Sequence, residues 1–280
     1  MHRLFTVSLI TNASSGLFIT EANEAVDKPL CLCHRFSIFT QNSLRYMHDI
    51  TSVFTDLGGS FITPPEILIS KISKIKAFIF DWDGVFNDGT KNEQGSSNFS
   101  EVDSMGTNLL RFGWWLSFGQ LPYTAVISGE RNLLSFQLAQ REHYHACYFR
   151  IKHKIDALEH FMSTRNLVAE EVAFFFDDAL DLSIAEKCGV RILIRHKGNP
   201  LFQKYVIEKN LVDYITAQEG GNFAVREGCE LLLGLANIHD QTITERLNFY
   251  PHYDAYFSQR QLVESRFFTL QNGQFVEQSP

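Results

Sequence analysis

The sequence predicts an α/β fold in which a parallel sheet is covered by helices on both faces, and two observations carry that expectation. Short apolar runs recur at 76–80, 123–127, 146–149, 172–176, 190–194 and 213–215, with helical patterns between them at about 104–116, 130–142, 154–166, 179–188, 200–209 and 222–236. Strands and helices alternating at this spacing build βαβ units. The runs are also continuously apolar rather than alternating, as strands buried on both faces are.

Each element has a local reason. Pro64-Pro65-Glu66 opens a short helix, because proline suits the first turn and glutamate the positive helix end. Lys76-Ala77-Phe78-Ile79-Phe80 is a compact strand that stops at acidic residues. Asn87-Asp88-Gly89 and Glu93-Gln94-Gly95 are turn signals, which predict a small β-hairpin flap between Gly84 and Asp103. Residues 1–60 read as a poorly ordered N-terminal extension, or, for 1–46, as an artefact of start-site choice with Met47 as the real beginning. A main domain at 61–236 follows, and then a tail at 237–280 with a helix near 253–267.

Composition narrows the function. In 280 residues, 45% hydrophobic and 20% charged content is that of an ordinary globular protein. The formal net charge of -7 argues against nucleic acid or an anionic membrane as the partner. The five cysteines show no disulfide rhythm, so a reduced, cytoplasmic compartment is expected. No apolar stretch is long enough to span a bilayer.

In a parallel sheet, ligands bind at the carboxyl ends of the strands, so the chemistry is sought just after each apolar run. The first run ends in Asp81-Trp82-Asp83-Gly84. Extended backbone puts residues i and i+2 on one side, so both carboxylates can face one ligand. One can attack phosphorus while the other handles the leaving-group proton; a plain turn would also use this tetrapeptide. The second run ends in Ser128-Gly129, a hydroxyl and a backbone N–H that suit a phosphoryl oxygen or simply cap a helix. Lys152 and Lys154 compete for the role of anion-binding cation, and spacing alone does not choose between them. The fourth run ends in Asp177-Asp178, with Asp181 one helical turn on. Mutual repulsion among three carboxylates calls for a cation, and hard oxygen ligands select Mg²⁺.

Asp-x-Asp, Ser-Gly, Lys and Asp-Asp in this order resemble the four motifs of the haloacid dehalogenase (HAD) superfamily of phosphohydrolases, over about residues 76–235. The resemblance implies a Rossmann-like sheet, an aspartyl-phosphate mechanism and Mg²⁺. It makes Asp81 the nucleophile and a metal ligand, and Asp83 the general acid/base with its backbone carbonyl on the metal. Asp177 becomes the second metal carboxylate, Ser128, Gly129 and Lys154 the phosphate cradle, and Asp178 and Asp181 supporting residues, with Asp178 orienting Lys154 or the metal shell.

No insertion is large enough for a cap domain, which resembles the capless subgroup that includes octulosonate 8-phosphate phosphatases. The stretches Phe99-Ser100-Glu101-Val102-Asp103-Ser104-Met105-Gly106 and Gly220-Gly221-Asn222-Phe223-Ala224-Val225-Arg226-Glu227 look like that subgroup's signatures. They imply a homotetramer acting on a phosphorylated sugar acid, with Asp103, Glu130 and Arg141 as substrate-binding residues. Phe176, Ser104 and Phe223 stand where the subgroup carries glycine. Glu130 stands where octulosonate phosphatases carry arginine, and is similar to relatives acting on nonulosonate 9-phosphates. Two rivals share the fold: a phosphotransferase, and a non-catalytic regulatory or binding subunit. A receiver domain lacks a counterpart of Asp83.

Overall fold

The computed structural model describes residues 41–279. At its centre is β2 (Ala77–Phe80), paired in parallel with β3 (Tyr123–Ile127) on one side and β5 (Val172–Phe176) on the other. β4 (Ala146–Tyr148) extends the sheet beyond β3, and β6 (Val190–Arg195) and β7 (Tyr214–Glu219) extend it beyond β5, all parallel. The chain therefore fills one side of β2 first and then crosses to the other. The resulting switch point opens a crevice at the carboxyl ends of β2 and β5.

Alternation along the central strands splits their side chains between two cores. Phe78, Phe80, Ala173 and Phe175 pack into one core, with α3 (Glu101–Phe118) and α8 (Ala224–Leu235). Ala77, Ile79, Val172, Phe174 and Phe176 pack into the other, with α5 (Lys154–Ser163). Phe176, one of the departures from the subgroup, is fully buried and stacks on Phe174 at 5.7 Å between ring centroids, so the larger side chain fills core rather than the site. α3 starts where the Ser100 side chain accepts from Val102 N and stops at Gly119, whose φ of 69° is the left-handed conformation glycine adopts without strain. Cys147, Cys188 and Cys229 are buried free thiols. Among the described residues, no helix is long and apolar enough to cross a membrane.

Three expectations are corrected. The extension does not run to residue 60: α1 (Gln41–Leu57) and β1 (Ser60–Phe61) belong to the body. Met47, Ile50 and Phe54 pack on the core, and β1 pairs antiparallel with β7. The remainder of that extension, 1–40, lies outside the described residues. The flap is not a hairpin, because no strand forms between Gly84 and Ser100. Asn87 Oδ1 accepts from Gly84 N and Gly89 N, and Asn92 Oδ1 accepts from Gln94 N and Ser96 N. Side chains thus take the amide donors a ladder would need.

The tail is not only helical. α9 (His239–Asn248) and α10 (His252–Gln261) lead to β8 (Arg266–Gln271), which pairs in parallel with β4, and β9 (Gln274–Glu277) closes that edge antiparallel. Tyr253 and Arg260 anchor the tail by donating to Asn108 Oδ1 and Glu142 Oε2 at 3.2 and 2.8 Å.

Candidate active site

Asp81 follows β2 directly, and its N–H donates to Phe175 O at 2.9 Å, so the parallel register runs one residue past the strand and aims the carboxylate into the crevice. Lys154 is the first residue of α5. A cation at a helix N-terminus works against the helix dipole, and here two carboxylates repay it: Lys154 Nζ donates to Asp81 Oδ1 and to Asp181 Oδ1, each at 2.6 Å. Lys152 also lines the cavity but is exposed, whereas Lys154 is buried and bonds Asp81 and Asp181, so the structure separates the two lysines that spacing could not. A cavity of about 490 Å³ brings together Asp81, Asp83, Ser128, Gly129, Glu130, Lys154, Asp177, Asp178 and Asp181.

Charge in this cavity is unbalanced. Carboxylate oxygens of Asp81, Asp177 and Asp181 all lie within 4.8 Å of one another, and one buried lysine serves them. Burial and then the repulsion of Asp81 and Asp181 push Asp177 up to about 9. Burial and Asp81 push Asp181 up to about 7, against the pull of Lys154. Asp81 is also raised by burial, with Lys154 opposing. Burial disfavours the charged lysine, yet Asp81 and Asp181 outweigh it and hold Lys154 above its ordinary range. An all-oxygen, electron-rich trio of this kind fits a hard divalent cation.

The backbone makes room for it. Gly84 has φ of 85°, and a Cβ there would sit 1.9 Å from Asp177 Oδ2. Gly220, in the turn before α8, packs so closely that a Cβ would lie 1.9 Å from Gly84 O. The Gly-Gly turn thus props the Asp81–Gly84 loop from behind.

Several expected roles change hands. Asp178 does not reach Lys154; its carboxylate caps Ala179 N at 2.7 Å, and Asp181 takes the lysine instead. Asp103 does not line the cavity. It is fully buried, and its Oδ1 accepts from Arg226 N at 2.9 Å, capping the start of α8; burial first, against those amide bonds, pushes its carboxyl up to about 6. Arg141 is also outside the cavity, bound to Glu101, to Glu142 at 3.3 Å and to Ser104 Oγ at 2.5 Å. Ser104, one of the glycine replacements, supplies the hydroxyl that holds it there. Phe223 takes φ of 68° just before α8 and is 45% exposed. Glu130 does line the cavity.

Two residues escaped sequence reasoning. Lys91 pairs with Asp83 Oδ1 at 2.5 Å, and Ser97 Oγ donates to the same oxygen at 2.7 Å. Both lie in the irregular loop, where no period or strand end marks them.

No family model matches the chain. It is 26% identical over 170 residues to the 3-deoxy-D-manno-octulosonate 8-phosphate phosphatase KdsC of Escherichia coli K12, covering 59% of this chain and 83% of that protein. Among solved structures, a hydrolase assigned to HAD subfamily III A from Legionella pneumophila matches with a TM-score of 0.54 and 28% identity over 65% of this chain and 94% of that one. The chain is a phosphatase similar to those of the HAD superfamily. This phosphatase also matches the Moraxella catarrhalis 3-deoxy-D-manno-octulosonate 8-phosphate phosphatase, solved with magnesium, phosphate and KDO, with a TM-score of 0.52 and 26% identity over 63% of this chain and 96% of that one.

Proposed function

We propose that this phosphatase hydrolyses a small phosphorylated sugar acid, of the octulosonate 8-phosphate or nonulosonate 9-phosphate kind, through a phosphorylated Asp81. The observation that carries the reading is the placement of Asp81, Lys154, Asp177 and Asp181 at the β2/β5 switch point, with Asp83 and Ser128 in the same cavity. An Asp81 oxygen bonds to phosphorus as the ester P–O bond breaks, and the leaving oxygen takes its electron pair and a proton from Asp83. Asp83 then removes a proton from water, whose oxygen attacks phosphorus. The Asp81–phosphorus bond breaks, its electrons return to the carboxylate, and phosphate departs. Ser128, the Gly129 N–H and Lys154 hold the phosphoryl oxygens. Asp81 and Asp177, with the backbone carbonyl of Asp83, would hold Mg²⁺, which supplies positive charge against the phosphoryl oxygens when bound. Asp181 orients Lys154.

Glu130 lines the cavity and would accept hydrogen bonds from sugar hydroxyls; its standing where octulosonate phosphatases carry arginine favours a nine-carbon substrate. A homotetramer would set a neighbouring copy over the open cavity; sedimentation velocity checks it.

The test is phosphate release from a panel of phosphorylated sugar acids with and without Mg²⁺. Wild-type turnover requires the metal, and Asp81→Asn falls at least ~10³-fold with its fold intact. An Asp81→Asn protein that keeps more than a few per cent of activity removes Asp81 as nucleophile. Glu130→Arg shifts the kcat/KM ratio between eight- and nine-carbon substrates; an unchanged ratio removes Glu130 from specificity.

A further inference from the structure

Asp83 is held unequally at its two oxygens. Oδ1 receives both the Lys91 ammonium at 2.5 Å and the Ser97 hydroxyl at 2.7 Å, whereas Oδ2 has no hydrogen-bond partner among the described residues. Two donors on one oxygen leave it little capacity to carry a proton. The donors also come from outside the cavity. Asp83 lines the chamber that holds Asp81 and Lys154, but neither Lys91 nor Ser97 does; Lys91 faces a separate cavity of about 650 Å³ with Thr90, Ser100 and Asn222.

Both donors belong to the irregular loop, and its own bonds set their positions. Asn92 Oδ1 accepts from Ser96 N at 2.9 Å and Asn92 N donates to Ser96 O at 2.8 Å, which fixes the turn between Lys91 and Ser97. Ser97 is fully buried, so its hydroxyl is not a solvated surface group that happens to lie near.

Resting on the reaction proposed above, we infer that Lys91 and Ser97 are positioning residues that pin Asp83 by Oδ1 and leave Oδ2 as the oxygen that carries the proton. In the first step the P–O bond to the substrate breaks, its electron pair goes to the leaving oxygen, and the proton on Oδ2 passes to that oxygen to give the free alcohol. A carboxyl group free to rotate would present either oxygen at varying distance and lose part of the advantage of a fixed donor. Neither Lys91 nor Ser97 touches the phosphoryl group in this arrangement.

A leaving group's need for a proton separates this role from a general structural one. An alkyl phosphomonoester expels a strongly basic alkoxide and depends on the acid, whereas p-nitrophenyl phosphate expels an anion that is stable without one. With full-length protein and Mg²⁺, Lys91→Met and Ser97→Ala are expected to lower kcat/KM about tenfold or more for the alkyl ester and less than about twofold for p-nitrophenyl phosphate. Lys91→Arg, which keeps a cationic donor, restores most of the loss. In an Asp83→Asn background, Lys91→Met should cause no further loss on the alkyl ester, because the oxygen that carries the proton is already gone and its orientation no longer matters. Equal losses on both esters, or a full Lys91→Met effect retained beside Asp83→Asn, overturn the positioning role. Asp81→Asn run in parallel tells the two failures apart. If it keeps turnover, the reaction itself is misread and both proposals fall; if it is dead while the losses ignore the leaving group, only this one does.

Discussion

Two clusters of buried carboxylate chemistry lie at opposite ends of the same sheet, and they are built to opposite rules. Asp213, just before β7, has a fully buried side chain, and every lone pair is spoken for. Its Oδ1 accepts from Thr63 Oγ1 at 2.6 Å, Lys71 Nζ at 2.5 Å and Arg191 Nη2 at 3.0 Å; its Oδ2 accepts from Arg191 N at 2.8 Å and Nε at 3.0 Å. Although burial opposes it, the bonds and charge of Arg191, with Lys71 and Thr63 behind, hold this carboxyl below its ordinary range. At the carboxyl end, Asp81, Asp177 and Asp181 share Lys154, and all three are pushed up. The first cluster is a closed clamp joining α2 (Pro65–Ile72), β6 and β7. The second is left short of positive charge, which costs stability and creates affinity for a cation. Active sites are commonly where such strain is stored.

The sharpest way to break the comparison is to substitute both ends. Asp213→Ala is expected to cost about 3–5 kcal/mol, because it strands the buried Arg191 guanidinium; urea denaturation reads it, and a loss under 1 kcal/mol would show that the clamp carries little. Saturating Mg²⁺, at about 100 times its Kd, should stabilise the wild type by about 2.7 kcal/mol and leave Asp177→Asn unmoved.

Without metal, the sign reverses. A folded Asp177 carboxyl near 9 keeps a proton that the unfolded chain releases near 3.8, so metal-free stability falls as pH rises between those values. Asp177→Asn should therefore gain about 1–3 kcal/mol at pH 8 in a chelator, where a loss would contradict the repulsion argument. Asp213 runs the other way: its contribution is present above the ordinary carboxylate range and fades as pH falls through the lowered folded value. The smallest effect belongs to Arg141, whose side chain is 43% exposed beside Glu101. Arg141→Gln should shift stability by less than about 1 kcal/mol and kcat/KM by less than about twofold, and a larger kinetic loss would return Arg141 to the substrate.

The amino-acid order alone was enough for the parallel sheet and for setting Asp81, Ser128 and Asp177 at strand ends, because each follows a short apolar run and a buried strand must end where its side chains turn acidic or polar; it left Lys152 and Lys154 undecided. Those are local signals, readable within a few residues. What the chain could not announce locally was decided in three dimensions. Asp181, rather than Asp178, meets Lys154 because the short 3-10 turn Ala179–Asp181 spends Asp178 on its own cap. Arg141 leaves the site because α3 brings Glu101 and Ser104 to it. β8 completes the sheet only because β4, far back in the chain, offers an unpaired edge. Lys91 and Ser97 reach Asp83 through a loop held by asparagine side chains, a path that carries no periodicity. Backbone pattern follows from neighbours in sequence, whereas the partner of a buried charge depends on which distant segment folding carries to it.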